Sequence, residues 1–243
     1  NNMNKMISFY NEEVKRYLKS GKGKKPIDFV DKDPSKVKWT REVLSDLSKG
    51  RERQYEEECL VESIYRPFNK QWAYYNRHFN NCIYQMPCIF PDAKISNNVI
   101  QVSGTGARNS FTVLMLKNLP NHDNIEAGQC FPFKIFEKEV NTDGGLFAGQ
   151  SLESGYQVKD GISDEGLQHF RKSYPNQKVT KEDIFYYIYG LLHSEDYRTR
   201  YAHNLSKQLP RIPCVKKFED FKAFEKAGRD LANLHVNYET VKL

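Results

Sequence analysis

The chain has 243 residues, enough for one large domain or two small ones with a real hydrophobic core. Its 37 Lys and Arg against 31 Asp and Glu leave a net charge of +6, which suits a polyanionic partner without demanding one. No apolar run is long enough for a transmembrane helix and no signal peptide opens the chain, so no membrane partner and a cytoplasmic location are expected. The five cysteines, Cys59, Cys82, Cys88, Cys130 and Cys214, show neither C-x-x-C nor zinc-finger spacing. They read as reduced thiols packed as small apolar groups. The opening Asn-Asn-Met suggests a fragment, with any catalytic domain upstream.

In chain order, Ile7, Tyr10, Val14, Tyr17 and Leu18 recur at helical spacing over residues 3–19. The basic run 20–25, SGKGKK, then breaks the pattern and reads as a solvated linker; it lacks the P-loop spacing. Thr40 is placed to cap a helix carrying Val43, Leu44 and Leu47, with Gly50 closing it. Strands are expected near 59–65, 71–75, 98–103, 110–116 and 131–137. Residues 65–79, YRPFNKQWAYYNRHF, alternate rings with Arg66, Lys70 and Arg77, with Pro67 at a strand edge or start. Two readings suit this stretch. One is a half-buried amphipathic strand; the other is a nucleic-acid surface in which cations meet phosphates and amides reach bases.

Val99, Gln101 and Ser103 alternate with Ile100 and Val102, as in a strand with one polar face. The segment 103–110, SGTGARNS, is either a plain hairpin turn or a loop whose amides, Thr105, Arg108 and Asn109 meet phosphate or a base edge. Residues 141–161 are rich in Gly, Ser, Asp and Asn and read as a surface excursion. Helical periods follow. Ser163 caps one helix and Thr180 with Asp183 forms a capping box for another. Ser194 opens a third through Tyr197, Tyr201 and Leu205, and Phe218, Phe221, Phe224, Leu231 and Leu234 make a final stripe.

Candidate chemistry is thin. His122 beside Asp123 resembles a base with its orienter, and His193 with Glu195 and Asp196 resembles a metal set, the basis of a hydrolase or nuclease reading. Sequence neighbours rarely converge by themselves, and both clusters fall at element ends, where polar caps are usual. No G-x-S-x-G, H-E-x-x-H or [DN]-P-P-[YFW] motif is present. No catalytic residue and no metal ligand is therefore assigned. His235 reads as a packed histidine.

Several blocks occur together and in order: 33–39 (DPSKVKW), 65–68 (YRPF) with 72–75 (WAYY), 102–106 (VSGTG), 128–132 (GQCFP), 181–194 (KEDIFYYIYGLLHS) and 209–213 (LPRIP). In this combination the chain resembles the C-terminal target-recognition region of Type ISP restriction–modification enzymes, long single-chain proteins often labelled putative helicases. The resemblance implies a parent with nuclease, translocase and adenine methyltransferase domains, which would use ATP, Mg and S-adenosylmethionine. This chain lacks the P-loop and the methyltransferase box, so no cofactor of its own is implied. The implied partners are double-stranded DNA and the parent's methyltransferase and helicase domains.

Blocks shared by enzymes that cut different sites cannot encode one site, so base reading is expected from loops beside them. The base-reading candidates are Asn69, Lys70, Gln71, Asn76, Arg77, Arg108 and Asn109, since amides suit adenine and arginine suits guanine; Arg66 and Thr105 are further DNA-binding candidates. The expected fold is α+β, with a central, largely antiparallel sheet, N-terminal helices and a helical C-terminal part packed on it. Its expected divisions are a helical segment 1–58, a β region 59–140 carrying DNA recognition, a loop or boundary 141–162, and C-terminal helices 163–243. The leading function is sequence-specific DNA recognition without catalysis. The alternative is a module that docks on the parent methyltransferase.

Overall fold

The computed structural model describes residues 2–21, 23–81, 83–138 and 155–242. Two compact units emerge, one of residues 1–61 and 72–85, the other of 62–71 and 86–243.

In the first unit, helix α1 (Asn2–Ser20) buries Ile7, Tyr10, Val14 and Tyr17, a stripe spaced three and four residues apart. A short α2 (Pro26–Phe29) begins on proline, whose missing N–H costs nothing there. Helix α3 (Arg41–Ser48) is capped by the Thr40 hydroxyl, which accepts from the Val43 amide. Gly50, at φ +70°, follows its end. Tyr10, Val14, Val43 and Leu47 form the core, with Trp39 and Phe79 packed against it. Asp46 is the polar centre of this unit. Burial pulls its pKa upward, but bonds from Arg53 and from His78 Nδ1 (2.8 Å) hold it below the usual range.

Strand β1 (Leu60–Arg66) turns at Pro67 and Phe68 into β2 (Asn69–Tyr74), so residues 65–79 are a hairpin turn, a strand and a loop, not one strand. Phe68 takes φ +56° in that turn. After α4 (Met86–Ile89) come β3 (Val99–Val102), β4 (Val113–Leu116), β5 (Leu119–Pro120), β6 (Gln129–Pro132), β7 (Lys134–Lys138) and β8 (Tyr156–Asp160). Among the described residues the strands form three small sheets, β2-β1-β5, β4-β3-β6 and β7-β8, where a central, largely antiparallel sheet was expected. All described pairings are antiparallel except β1 with β5. The single strand expected at 131–137 is two: the chain leaves β3 at Pro132 and pairs with β8 from Lys134. Asn97, 3% exposed, holds the junction by bonding the Lys134 carbonyl and amide. The expected excursion at 141–161 falls mostly on 139–154, outside the described residues.

In the second unit β3 and β4 are buried on both faces. Ile100, Val102, Val113 and Met115 join the helical core, while Val99, Leu114 and Leu116 join Ile64, Ile89, Phe90 and Ile125. The polar face expected for β3 is not solvated. Gln101 is 1% exposed and accepts from Asn124 Nδ2 at 2.7 Å, which offsets its burial.

Helices α5 (Asp164–Ser173) and α6 (Lys181–His193) start on Ser163 and on the Thr180–Asp183 capping box. The helix expected from Ser194 breaks at Tyr201 into α7 (Glu195–Arg200) and α8 (Ala202–Leu205). Helix α9 (Phe218–Val236) packs along α6. Phe185, Tyr187, Tyr189, Leu192 and Phe221 are buried between them and the sheet, whereas Leu234 is exposed. The two backbones touch at glycines. A Cβ on Gly190 would meet the Phe224 oxygen at 2.2 Å, and one on Gly228 the Tyr186 oxygen at 2.0 Å. Among the described residues no helix is long and apolar enough to cross a membrane.

Candidate nucleic-acid interface

The loop joining β3 to β4 is closed at its neck by the Ser103 amide on the Thr112 carbonyl (2.9 Å) and the Thr112 amide on Ser103 Oγ (3.1 Å). Gly104 lies against the turn that precedes β6; a Cβ there would sit 2.4 Å from the Ala127 oxygen. That approach brings Glu126 beneath the loop. Its Oε1 accepts from Arg108 Nε (2.9 Å), and its Oε2 from the amides of Arg108 (2.9 Å) and Asn109 (3.0 Å) and from Asn109 Nδ2 (3.1 Å). The Arg108 bonds, then those of the backbone, pull the Glu126 pKa down to about 2. The Arg108 and Asn109 amides are therefore not free for an anion. Thr105 is exposed and unbonded to Glu126, and the Arg108 side chain is 92% exposed.

Across from this loop stand α7 and α8. Arg198 donates to the Phe111 carbonyl and lies 6.0 Å over the Phe111 ring, and the Gly106 amide reaches the Ser206 carbonyl at 3.4 Å. Between the two walls is an open cleft of about 610 Å³ lined by Arg108, Asn109, Phe111, Arg198 and Ala202, among others. Glu126 and Arg198 were not among the sequence candidates. In sequence, Glu126 is one acid in a turn, and Arg198 reads as the usual cation in a helix's last turn.

The hairpin tip lies in the same unit. Asn69 and Gln71 are exposed on β2. Arg66 stacks 4.2 Å over Tyr65 and bonds its carbonyl. Lys70 is committed elsewhere: its Nζ lies 2.7 Å from Glu239 and 3.4 Å from Glu62, and the Glu239 bond raises its pKa. Phe68 packs edge-on against His235 and Tyr238, each at 5.3 Å. In the first unit Asn76 organises a turn, its Oδ1 accepting from the His78 amide at 2.9 Å. Arg77 is exposed and makes no ion pair among the described residues. The structure thus brings Arg108 and Asn109 together on one loop and gives Lys70 and Asn76 local partners.

The two histidine clusters do not converge on a third group. His122 Nδ1 lies 3.2 Å from Asp123 with both side chains about 70% exposed. His193 faces Tyr189 and His235, not Glu195 or Asp196, which are exposed. Burial first, then His235 and Arg198, lowers its pKa to about 4. Among the described residues no group of three or more His, Cys, Asp or Glu is arranged to hold a metal.

The family model described as the Type ISP C-terminal specificity domain matches residues 1–243. Three solved structures are similar. The cryoEM structure of a DrdV–DNA complex is 32% identical, with a TM-score of 0.80 over 98% of this chain and 21% of that one. The ATP-dependent Type ISP restriction–modification enzyme LlaBIII bound to DNA is 28% identical, with a TM-score of 0.80 over 100% of this chain and 14% of that one. A nuclease-deletion mutant of the Type ISP enzyme LlaGI with a DNA substrate mimic is 28% identical, with a TM-score of 0.77 over 99% and 17%. The chain thus spans between 14% and 21% of those three proteins. No curated protein matches it.

Proposed function

Since the chain belongs to the Type ISP C-terminal specificity domain family, we propose that it recognises a DNA target for a larger, cytoplasmic restriction–modification enzyme and performs no catalysis itself. The observation that carries this reading is the likeness over nearly the whole chain to domains of enzymes solved with DNA. ATP, Mg and S-adenosylmethionine belong in this reading to other domains of the parent. The proposed contacts are Arg66, Asn69, Gln71, Arg77, Thr105, Arg108 and Asn109, which are exposed. Lys70 and Asn76 shape the hairpin and turn beside them.

A second role, docking on the parent's methyltransferase, is favoured by Trp72 and Tyr84, rings that are 71% and 75% exposed. A titration of random-sequence duplex at two salt concentrations tests the first role. Binding is expected to weaken steeply with salt, and Arg77→Ala is expected to flatten that dependence by about one unit if it meets a phosphate. Absence of duplex binding at low salt would leave docking as the function.

A further inference from the structure

Glu126 decides which part of the 103–110 loop is free to meet DNA. Its two oxygens take the backbone amides of Arg108 and Asn109, the Asn109 side-chain Nδ2 and the Arg108 Nε. No bond to either Arg108 Nη is present among the described residues, and that side chain is 92% exposed. From this geometry, and resting on the DNA-recognition reading above, we infer that Arg108 reads a guanine in the major groove and that Glu126 is its positioning residue.

The chemistry follows from what each group has left to offer. A guanidinium gripped along its Nε edge keeps two parallel Nη donors, which match the O6 and N7 acceptors of guanine. A phosphate at the same place would sit close to a carboxylate and find the Arg108 and Asn109 amides already occupied, so a base edge suits the position better than the backbone does. Asn109 spends one Nδ2 hydrogen on Glu126 and is turned toward it, which leaves the Arg108 Nη pair as the more open donor set on this loop. Holding the arginine before DNA arrives also removes part of the side-chain entropy that binding would otherwise cost.

The test uses the full-length protein and a pool of duplexes with a randomised segment, sequenced before and after capture. The wild type is expected to enrich a guanine at a defined position. Arg108→Ala and Arg108→Lys are expected to lower the preference there on the order of tenfold and to leave other positions alone. Glu126→Gln is expected to cause a partial loss at that same position only. The double variant R108A/E126Q is expected to match R108A, because Glu126 acts through Arg108. An R108A profile that keeps every preference, or that loses affinity for all sequences alike, overturns the inference and leaves DNA recognition intact. An equal loss at several positions in E126Q overturns the positioning role. A wild type that enriches no sequence overturns both this inference and the function on which it rests.

Discussion

Between α6 and α9 the rings of Tyr187 and Phe221 stack 4.8 Å apart with neither reaching water, whereas at the 103–110 loop one carboxylate holds an arginine that is 92% exposed. The first arrangement rests on buried area and close packing, which carry most of a domain's stability. The second rests on hydrogen bonds in a largely solvated setting, each of small net worth. The contrast separates two jobs. The helical core sets where the loop stands, and the loop sets what it contacts, so residues can change in one without disturbing the other.

Mutations can break that separation or sharpen it. The largest effect is expected from Phe221→Ala, where an enclosed ring is removed: about 3–5 kcal/mol of stability by denaturant unfolding. Gly228→Ala comes next. Helix propensity favours alanine by about 1 kcal/mol, but overpacking typically costs roughly 1–3 kcal/mol. A backbone oxygen 2.0 Å from the new Cβ cannot move away like a side chain, so a net loss of about 1–2 kcal/mol is expected.

The core also holds His193, which packs its ring 4.7 Å from Tyr189 and leaves Nε2 buried with no hydrogen-bond partner among the described residues. Its pKa is lowered from 6.5 to about 4. The unfolded chain therefore takes up a proton below the ordinary value while the folded chain refuses it. Stability is expected to be full above pH 6.5 and to fall between there and pH 4, by about 1–2 kcal/mol after allowing for the ring's partial exposure. Thermal unfolding of His193→Phe at pH 8, 6 and 5 checks this: the variant should lose less stability than the wild type as pH falls. The smallest effect belongs to the loop. Arg108→Ala should stay within about 0.5 kcal/mol of the wild type in unfolding; a larger loss would mean that the loop is part of the scaffold.

Helices with side-chain caps were legible because their signals are local. Thr40, Ser163, Thr180 with Asp183, and Ser194 each bond the amide their spacing implied. Two features were not legible, because they depend on distant partners. Gln101 reads as a solvent-facing residue until Asn124, from another segment, supplies the bond that lets it be buried. Likewise nothing near Lys70 announces Glu239, 169 residues away, so the ion pair that this lysine makes was not legible. The loop at 103–110 was legible as a candidate from its glycines, yet the residue that arranges it, Glu126, lies beyond the next two strands.

The glycine contact between α6 and α9 acts as a detent. Sliding α9 by one helical turn would place Phe224 or Ala232 where Gly228 now meets the Tyr186 oxygen, and any Cβ there is forbidden by a wide margin. Only one alignment of the two helices closes. Helix α7 follows α6 through the single residue Ser194, so the setting of Arg198 against Phe111 inherits that alignment. Two residues without side chains thereby help set where the α7 wall of the cleft stands opposite the 103–110 loop.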